Sequence, residues 1–374
     1  MQNSKIPEAI PSGCYGTGKM QNENLKFKII FISAIFLAVL LLPKISWAFD
    51  YVMGTTDYGQ PNVPQPAQWE SYVDPITGVT VRRITDIAKD VPGATNARIE
   101  YVRKTPVSSD GRYLLIFVDG VRGNPYYIVD LQTHTLKVAP HITGKPYDNN
   151  ASYDAQPEYR WDLSGNCPTC IYYRDGMKFY KGDVAYPSSP QDPNYNILLH
   201  DFKNEFPTGV IAFNDDEGDA SGDSRYWVFM ILPPRTPGYL PLAFIVYDKD
   251  TDTIIGTYPN PPDRPNFVDM SPSGDRVYVA GNWKNMGGVS FNKDWTDPKQ
   301  LVLANAHSGW AFDKNGNEGL VQINWSGVTD WLKFVNVKTG EYFTVINLKD
   351  LGWGGGHHFG RVYQPHQKGW IFLD

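Results

Sequence analysis

The chain has 374 residues, is 41% hydrophobic and 14% aromatic, and carries a net charge of −6 with a pI of about 5.7. That length allows a full hydrophobic core, and strand-forming residues dominate the apolar content. No basic patch stands out, which excludes nucleic acid as a partner, and the charge clusters are mixed and loop-like, as on a solvated surface.

Residues 29–42 form an apolar run broken only by Ser33. Lys26 and Lys28 precede it, and Ser46-Trp47-Ala48 places small residues where a signal peptidase cuts. Residues 1–48 therefore read as a signal peptide cleaved between Ala48 and Phe49, with Met20 as an alternative start. The run of 14 residues falls short of the roughly 20 that a membrane span needs. No cysteine follows the cleavage point to carry a lipid. The expected mature chain, 49–374, is periplasmic or secreted, with no stable membrane anchor after cleavage.

Residues 49–69 are rich in Pro, Gly, Gln and Asn and read as an extended leader. Residues 74–85 predict a hairpin with an alternating second strand, placed to complete a blade begun at the other end of the chain. Leader and hairpin together occupy 49–94, ahead of a repeated region that runs from 95 to 374.

The repeat is clearest at Ser271-Pro272-Ser273-Gly274-Asp275-Arg276-Val277-Tyr278-Val279. A polar turn closes on a residue type that accepts positive φ, and a β-branched and aromatic run follows at once. Ser108-Ser109-Asp110-Gly111 leads in the same way to Arg112-Tyr113-Leu114, and Ser221-Gly222-Asp223-Ser224 to Arg225-Tyr226-Trp227. Taking glycines 111, 165, 222, 274, 316 and 369 as anchors gives spacings of 54, 57, 52, 42 and 53 residues. Repeats of about 40–50 residues, each of about four strands, are the signature of a β-propeller, and the absence of helical periodicity excludes a helical solenoid. Blades are expected at 95–140, 150–207, 208–262, 263–305 and 306–350, with a sixth starting near 351. The fold expected is all-β, a six- or seven-bladed propeller. It reads as incomplete at the C-terminus, because the chain stops one strand into the sixth blade and an unclosed ring leaves sheet edges open.

Cys167 and Cys170 are the only cysteines after the signal. In an oxidising compartment they read as a disulfide in the turn before a strand. A thioredoxin-like site would need a helix after the motif, and a zinc site two further ligands.

In a propeller the innermost strand of each blade precedes the anchor turn, so the residues 5–11 positions before each glycine face the central channel. They are Glu100 and Arg103, Glu158 and Arg160, Asp216 and Glu217, Asn266 and Asp269, His307, and His358 with Arg361. Segments far apart in sequence would converge there on one axial cavity, where ligand sites form. The plainer reading is a wet polar wall. The run from Asn214 to Asp219 departs from a calcium-loop pattern and reads as a solvated acidic loop.

The Ser-x-[Asp/Ser]-Gly repeat and the strand after it resemble the WD40-like repeats of extracytoplasmic TolB-type propellers over residues 95–374. A weaker resemblance is to oligogalacturonate lyase propellers. It implies a divalent metal held by histidines near the channel, here His307 and His357 or His358. It also implies a base and a cation at the substrate carboxylate, for which Arg160, Arg361 and His358 are candidates. Two functions follow as expectations. One is a scaffold that binds a carbohydrate or protein ligand at the channel mouth. The other is a metal-assisted lyase on an acidic oligo- or polysaccharide.

Overall fold

The protein is described by a computed structural model over residues 65–75, 78–99, 105–121, 124–141, 157–186, 195–213, 218–233, 240–281, 288–301, 308–323 and 331–347, and in two short strands at 359–360 and 372–373. All of these residues lie in the second of two units, Met1–Met53 and Gly54–Asp374. The signal and most of the leader fall outside them.

A short hairpin comes first, β1 (Ser71–Val73) paired with β2 (Thr80–Arg82), then a helical turn α1 (Ile87–Asp90). Five four-stranded antiparallel sheets follow in chain order, each a simple meander. Blade one is β3 (Asn96–Arg98), β4 (Tyr113–Asp119), β5 (Tyr126–Asp130) and β6 (Thr135–Val138). Blade two is β7 (Arg160–Trp161), β8 (Cys170–Asp175), β9 (Lys178–Asp183) and β10 (Ile197–Asp201). Blade three is β11 (Val210–Ala212), β12 (Tyr226–Leu232), β13 (Ala243–Asp248) and β14 (Thr253–Pro259). Blade four is β15 (Val268–Met270), β16 (Arg276–Val279), β17 (Val289–Asn292) and β18 (Lys299–Gln300). Blade five is β19 (Ser308–Phe312), β20 (Glu318–Ile323), β21 (Trp331–Asn336) and β22 (Tyr342–Asn347). A two-stranded sheet, β23 (Phe359–Gly360) with β24 (Phe372–Leu373), comes last. The fold is an all-β propeller with five four-stranded blades among the described residues.

The strands read as unbroken apolar runs because the blades bury both of their faces. Along β12, Trp227, Phe229 and Ile231 pack toward blade two with Tyr172 and Phe179, while Val228, Met230 and Leu232 pack toward blade four with Val268, Val277 and Phe291. That is the period-2 alternation of a strand with apolar neighbours on both sides. The core is thus a series of layers between neighbouring blades: Tyr113, Tyr126, Trp161 and Tyr173 between one and two, and Tyr278, Trp310 and Leu320 between four and five.

The repeat turn has a local cause. The hydroxyls of Ser108, Ser221 and Ser271 accept from the backbone N–H five residues on, at 2.8, 2.9 and 3.1 Å. The turn needs one residue in the left-handed region, and Gly111, Gly165, Gly274 and Gly316 supply it at φ of 74 to 85°. In the third repeat that residue is Ser224 (φ 55°), not Gly222. The anchor expected at Gly222 is therefore displaced by two positions, and Gly222 instead donates its N–H to Pro272 O of the next blade at 2.8 Å.

Each third strand of blades one, two, three and five ends on Asp130, Asp183, Asp248 or Asn336. Its side chain accepts a backbone N–H two residues on, at 2.9 to 3.0 Å. This closes the hairpin as an Asx turn.

The N-terminal hairpin forms its own sheet and adds a strand to none of the five blades. It packs on blade one, where Trp69 stacks on His134 with ring centroids 4.1 Å apart, and Arg82 Nη2 lies 3.1 Å from His134 Nε2.

Candidate functional site

Of the residues expected at the channel, Glu158, Arg160, Asn266 and Asp269 are described, and Asp219, not singled out by the sequence, joins them. Each charged one takes part in a bond that crosses a blade boundary. Glu158, just before β7, is 1% exposed. Its Oε2 accepts from Arg174 Nε on β8 at 2.5 Å and from the N–H of Phe213 in blade three at 3.0 Å. Its backbone is left-handed, φ 47°, a conformation that costs a non-glycine residue roughly 1–2 kcal/mol. Arg160 on β7, 3% exposed, donates from Nε to Gly218 O of blade three at 2.7 Å and from Nη1 to Tyr159 O at 2.9 Å. Its guanidinium lies 5.3 Å from the centre of the Phe213 ring. Gly218 leaves no room for a side chain, because a Cβ there would stand 2.3 Å from Val268 O and 2.4 Å from Phe213 O.

The chain of bonds continues around the blades. Asp269 on β15 accepts from Asp219 N at 2.8 Å in blade three and from Trp310 Nε1 at 2.7 Å in blade five. Trp161 Nε1 reaches Pro106 O of blade one at 3.0 Å. Asn266 is exposed, and its backbone N–H donates to Ala280 O at 3.1 Å. Neighbouring blades are therefore joined by buried side chains with specific partners.

Among the described residues, three donor nitrogens here have no partner: Arg160 Nη2 and both terminal nitrogens of Arg174. Arg174 was missed by the sequence reading because it sits on a second strand rather than a first. It directly follows the apolar run from Cys170 to Tyr173. Asp162 was also missed. It is buried, and it accepts from Ser164 N at 3.0 Å and from Tyr172 OH at 3.0 Å. Burial pushes the Tyr172 hydroxyl far above its ordinary pKa, with the neighbouring Asp162 adding to the shift, so it stays a donor.

Cys167 and Cys170 form a disulfide, with Cα atoms 5.3 Å apart. Asp183 lies beside it, with ligand-type atoms of the three residues within 4.8 Å of one another. Glu100, Arg103, Asp216, Glu217, His307, His357, His358 and Arg361 lie outside the described residues, so the proposed metal set and most of the catalytic set have no geometry here. Between blades four and five a cleft of about 270 Å³ opens beside Glu318. Both carboxylate oxygens of Glu318 are engaged, by Ser273 N at 2.5 Å and Ser273 Oγ at 2.6 Å, so it acts as a latch on the repeat turn.

No family model and no curated protein matches the chain. Solved structures similar to it include the two kinds of propeller that the sequence resembles. An oligogalacturonate lyase from Vibrio parahaemolyticus is 14% identical, with a TM-score of 0.48 over 79% of this chain and 74% of that one. TolB from Acinetobacter baumannii is 13% identical, with a TM-score of 0.33 over 64% of this chain and 52% of that one. A putative TolB from Agrobacterium tumefaciens is 12% identical, with a TM-score of 0.36 over 66% of this chain and 81% of that one. No helix among the described residues is long and apolar enough to cross a membrane.

Proposed function

We propose that the protein is an exported propeller of six blades or more that binds a carbohydrate or protein ligand at the mouth of its central channel. One observation carries this reading: the first strands of successive blades are fixed to one another by buried polar bonds through Glu158, Arg160, Asp219 and Asp269. A wall held in that way presents preorganised polar groups, which lowers the ordering cost of binding. Pairing of β23 with β24 beyond blade five supports a further blade. Export would remove residues 1–48, so N-terminal sequencing of the exported protein should begin at Phe49.

Titration calorimetry with oligogalacturonides of defined length tests the ligand side. Saturable binding that leaves the sugar intact supports the scaffold. Appearance of an unsaturated product, followed by ultraviolet absorbance and abolished by a chelator, would replace the scaffold with a metal-assisted lyase. Absence of any binding would remove acidic carbohydrate as the ligand.

A further inference from the structure

We propose that the layer between blades two and three contains a buried carboxylate-binding site, formed by the terminal nitrogens of Arg174 and Nη2 of Arg160. The site stands on the wall itself and does not depend on what binds at the channel mouth.

Register brings the two cations together. Arg160 pairs with Tyr172 across β7 and β8, and Arg174 N, two residues beyond Tyr172, donates to Pro157 O, three residues before Arg160. Glu158, Arg160, Tyr172 and Arg174 therefore share one face of blade two, the face turned to blade three. Phe213 touches the group twice, through its N–H to Glu158 and its ring beneath Arg160. The Arg174 side chain is 0% exposed and Glu158 1%.

Glu158 pairs with Arg174 alone and spends the same oxygen, Oε2, on Arg174 Nε and on Phe213 N, while Arg160 meets only the carbonyls of Gly218 and Tyr159. Among the described residues, Arg160 Nη2, Arg174 Nη1 and Arg174 Nη2 are buried with no partner. Unpaired N–H groups of a buried cation are among the costliest defects a fold can carry. Elsewhere Arg112 and Arg225 each place Nε and Nη2 on both oxygens of one aspartate, Asp130 and Asp248, and buried Arg276 leaves only its Nε without a partner among the described residues.

The chemistry of the missing partner follows from what is free. On Arg174 the Nε edge is used by Glu158, and the end-on pair Nη1/Nη2 is open. Two parallel N–H groups at the end of a guanidinium match the two oxygens of a carboxylate. One negative charge balances the two cations against Glu158. The neighbours Phe213, Tyr172 and Trp227 are aromatic and disfavour a strongly hydrated dianion such as phosphate.

Titration calorimetry of the full protein with sodium acetate, against sodium chloride at equal ionic strength, tests the site. Expected is saturable, single-site acetate binding that chloride does not reproduce. Arg174→Lys keeps a cation for Glu158 but removes the fork, and should weaken acetate binding at least about tenfold. Arg160→Gln leaves the Glu158–Arg174 pair intact, should fold if the lysine variant does not, and should weaken binding several-fold. Equal heats with chloride, no saturable acetate binding, or wild-type affinity in Arg160→Gln together with Arg174→Lys would overturn the proposal.

Discussion

The molecule uses arginine in two ways, and the two regions can be set side by side. In the repeat turns of blades one and three, Arg112 and Arg225 are about one-third exposed and fork onto Asp130 and Asp248, at 2.6 and 2.7 Å. Those pairs recur because the repeat places the cation at the start of one strand and the carboxylate at the end of the next. In the layer between blades two and three, Arg160 and Arg174 are buried and keep three nitrogens unpartnered among the described residues. The difference teaches that an arginine forked onto its own aspartate at the strand end serves the fold, whereas a buried arginine whose terminal nitrogens are both open is where binding is to be sought.

The sharpest way to break this comparison is to delete the anion from each side. Glu158→Ala strands the buried Arg174 and should cost about 3–5 kcal/mol in urea unfolding. Asp248→Ala leaves Arg225 free to turn to water and should cost far less. Equal losses would erase the distinction between the two regions. A smaller effect is expected at the blade four–five boundary. Trp310→Phe removes the indole donor to buried Asp269 and should cost about 1–3 kcal/mol. Smaller again is the disulfide, which joins residues only three apart in sequence. Cys167→Ser should cost about 2 kcal/mol or less, since the closed loop is short.

The smallest effect is a pH dependence confined to the repeat pairs. The Arg225 guanidinium holds the Asp248 carboxyl at about 2, below its ordinary value of 3.8, and Arg112 holds Asp130 lower still. A depressed carboxylate stabilises the fold fully above its ordinary pKa, and that stabilisation is lost as pH falls through the depressed value. The gap in urea midpoint between wild type and Asp248→Asn should therefore be constant near neutrality and close between about pH 4 and pH 2. A gap that persists at the acid end would show that the pair contributes nothing through charge.

Much of the fold was legible because each blade repeats the same local chemistry. Ser108, Ser221 and Ser271 mark the turn, and the apolar runs after them mark strands buried on both faces. The slip at Gly222 has a simple origin. Ser221-Gly222-Asp223-Ser224 contains a glycine where its sister turns have an ordinary residue, and only the dihedral at Ser224 shows which position turns left-handed. Position along the first strands pointed to Glu158, Arg160 and Asp269 as residues facing the channel; they are buried, with partners from neighbouring blades some fifty residues away that no local pattern reports. Arg174 escaped for a related reason: its importance lies in what its neighbours fail to offer, which sequence does not record. The N-terminal hairpin was expected to complete a blade begun at the other end of the chain; among the described residues it forms a sheet of its own, with Trp69 stacked on His134 of blade one.

The most direct measurement is a crystal structure of the protein grown in acetate. Expected is one carboxylate lying end-on against Nη1 and Nη2 of Arg174, with Nη2 of Arg160 within hydrogen-bond reach. Guanidiniums whose free nitrogens end on carboxylates of the chain itself, or on water alone, would contradict it.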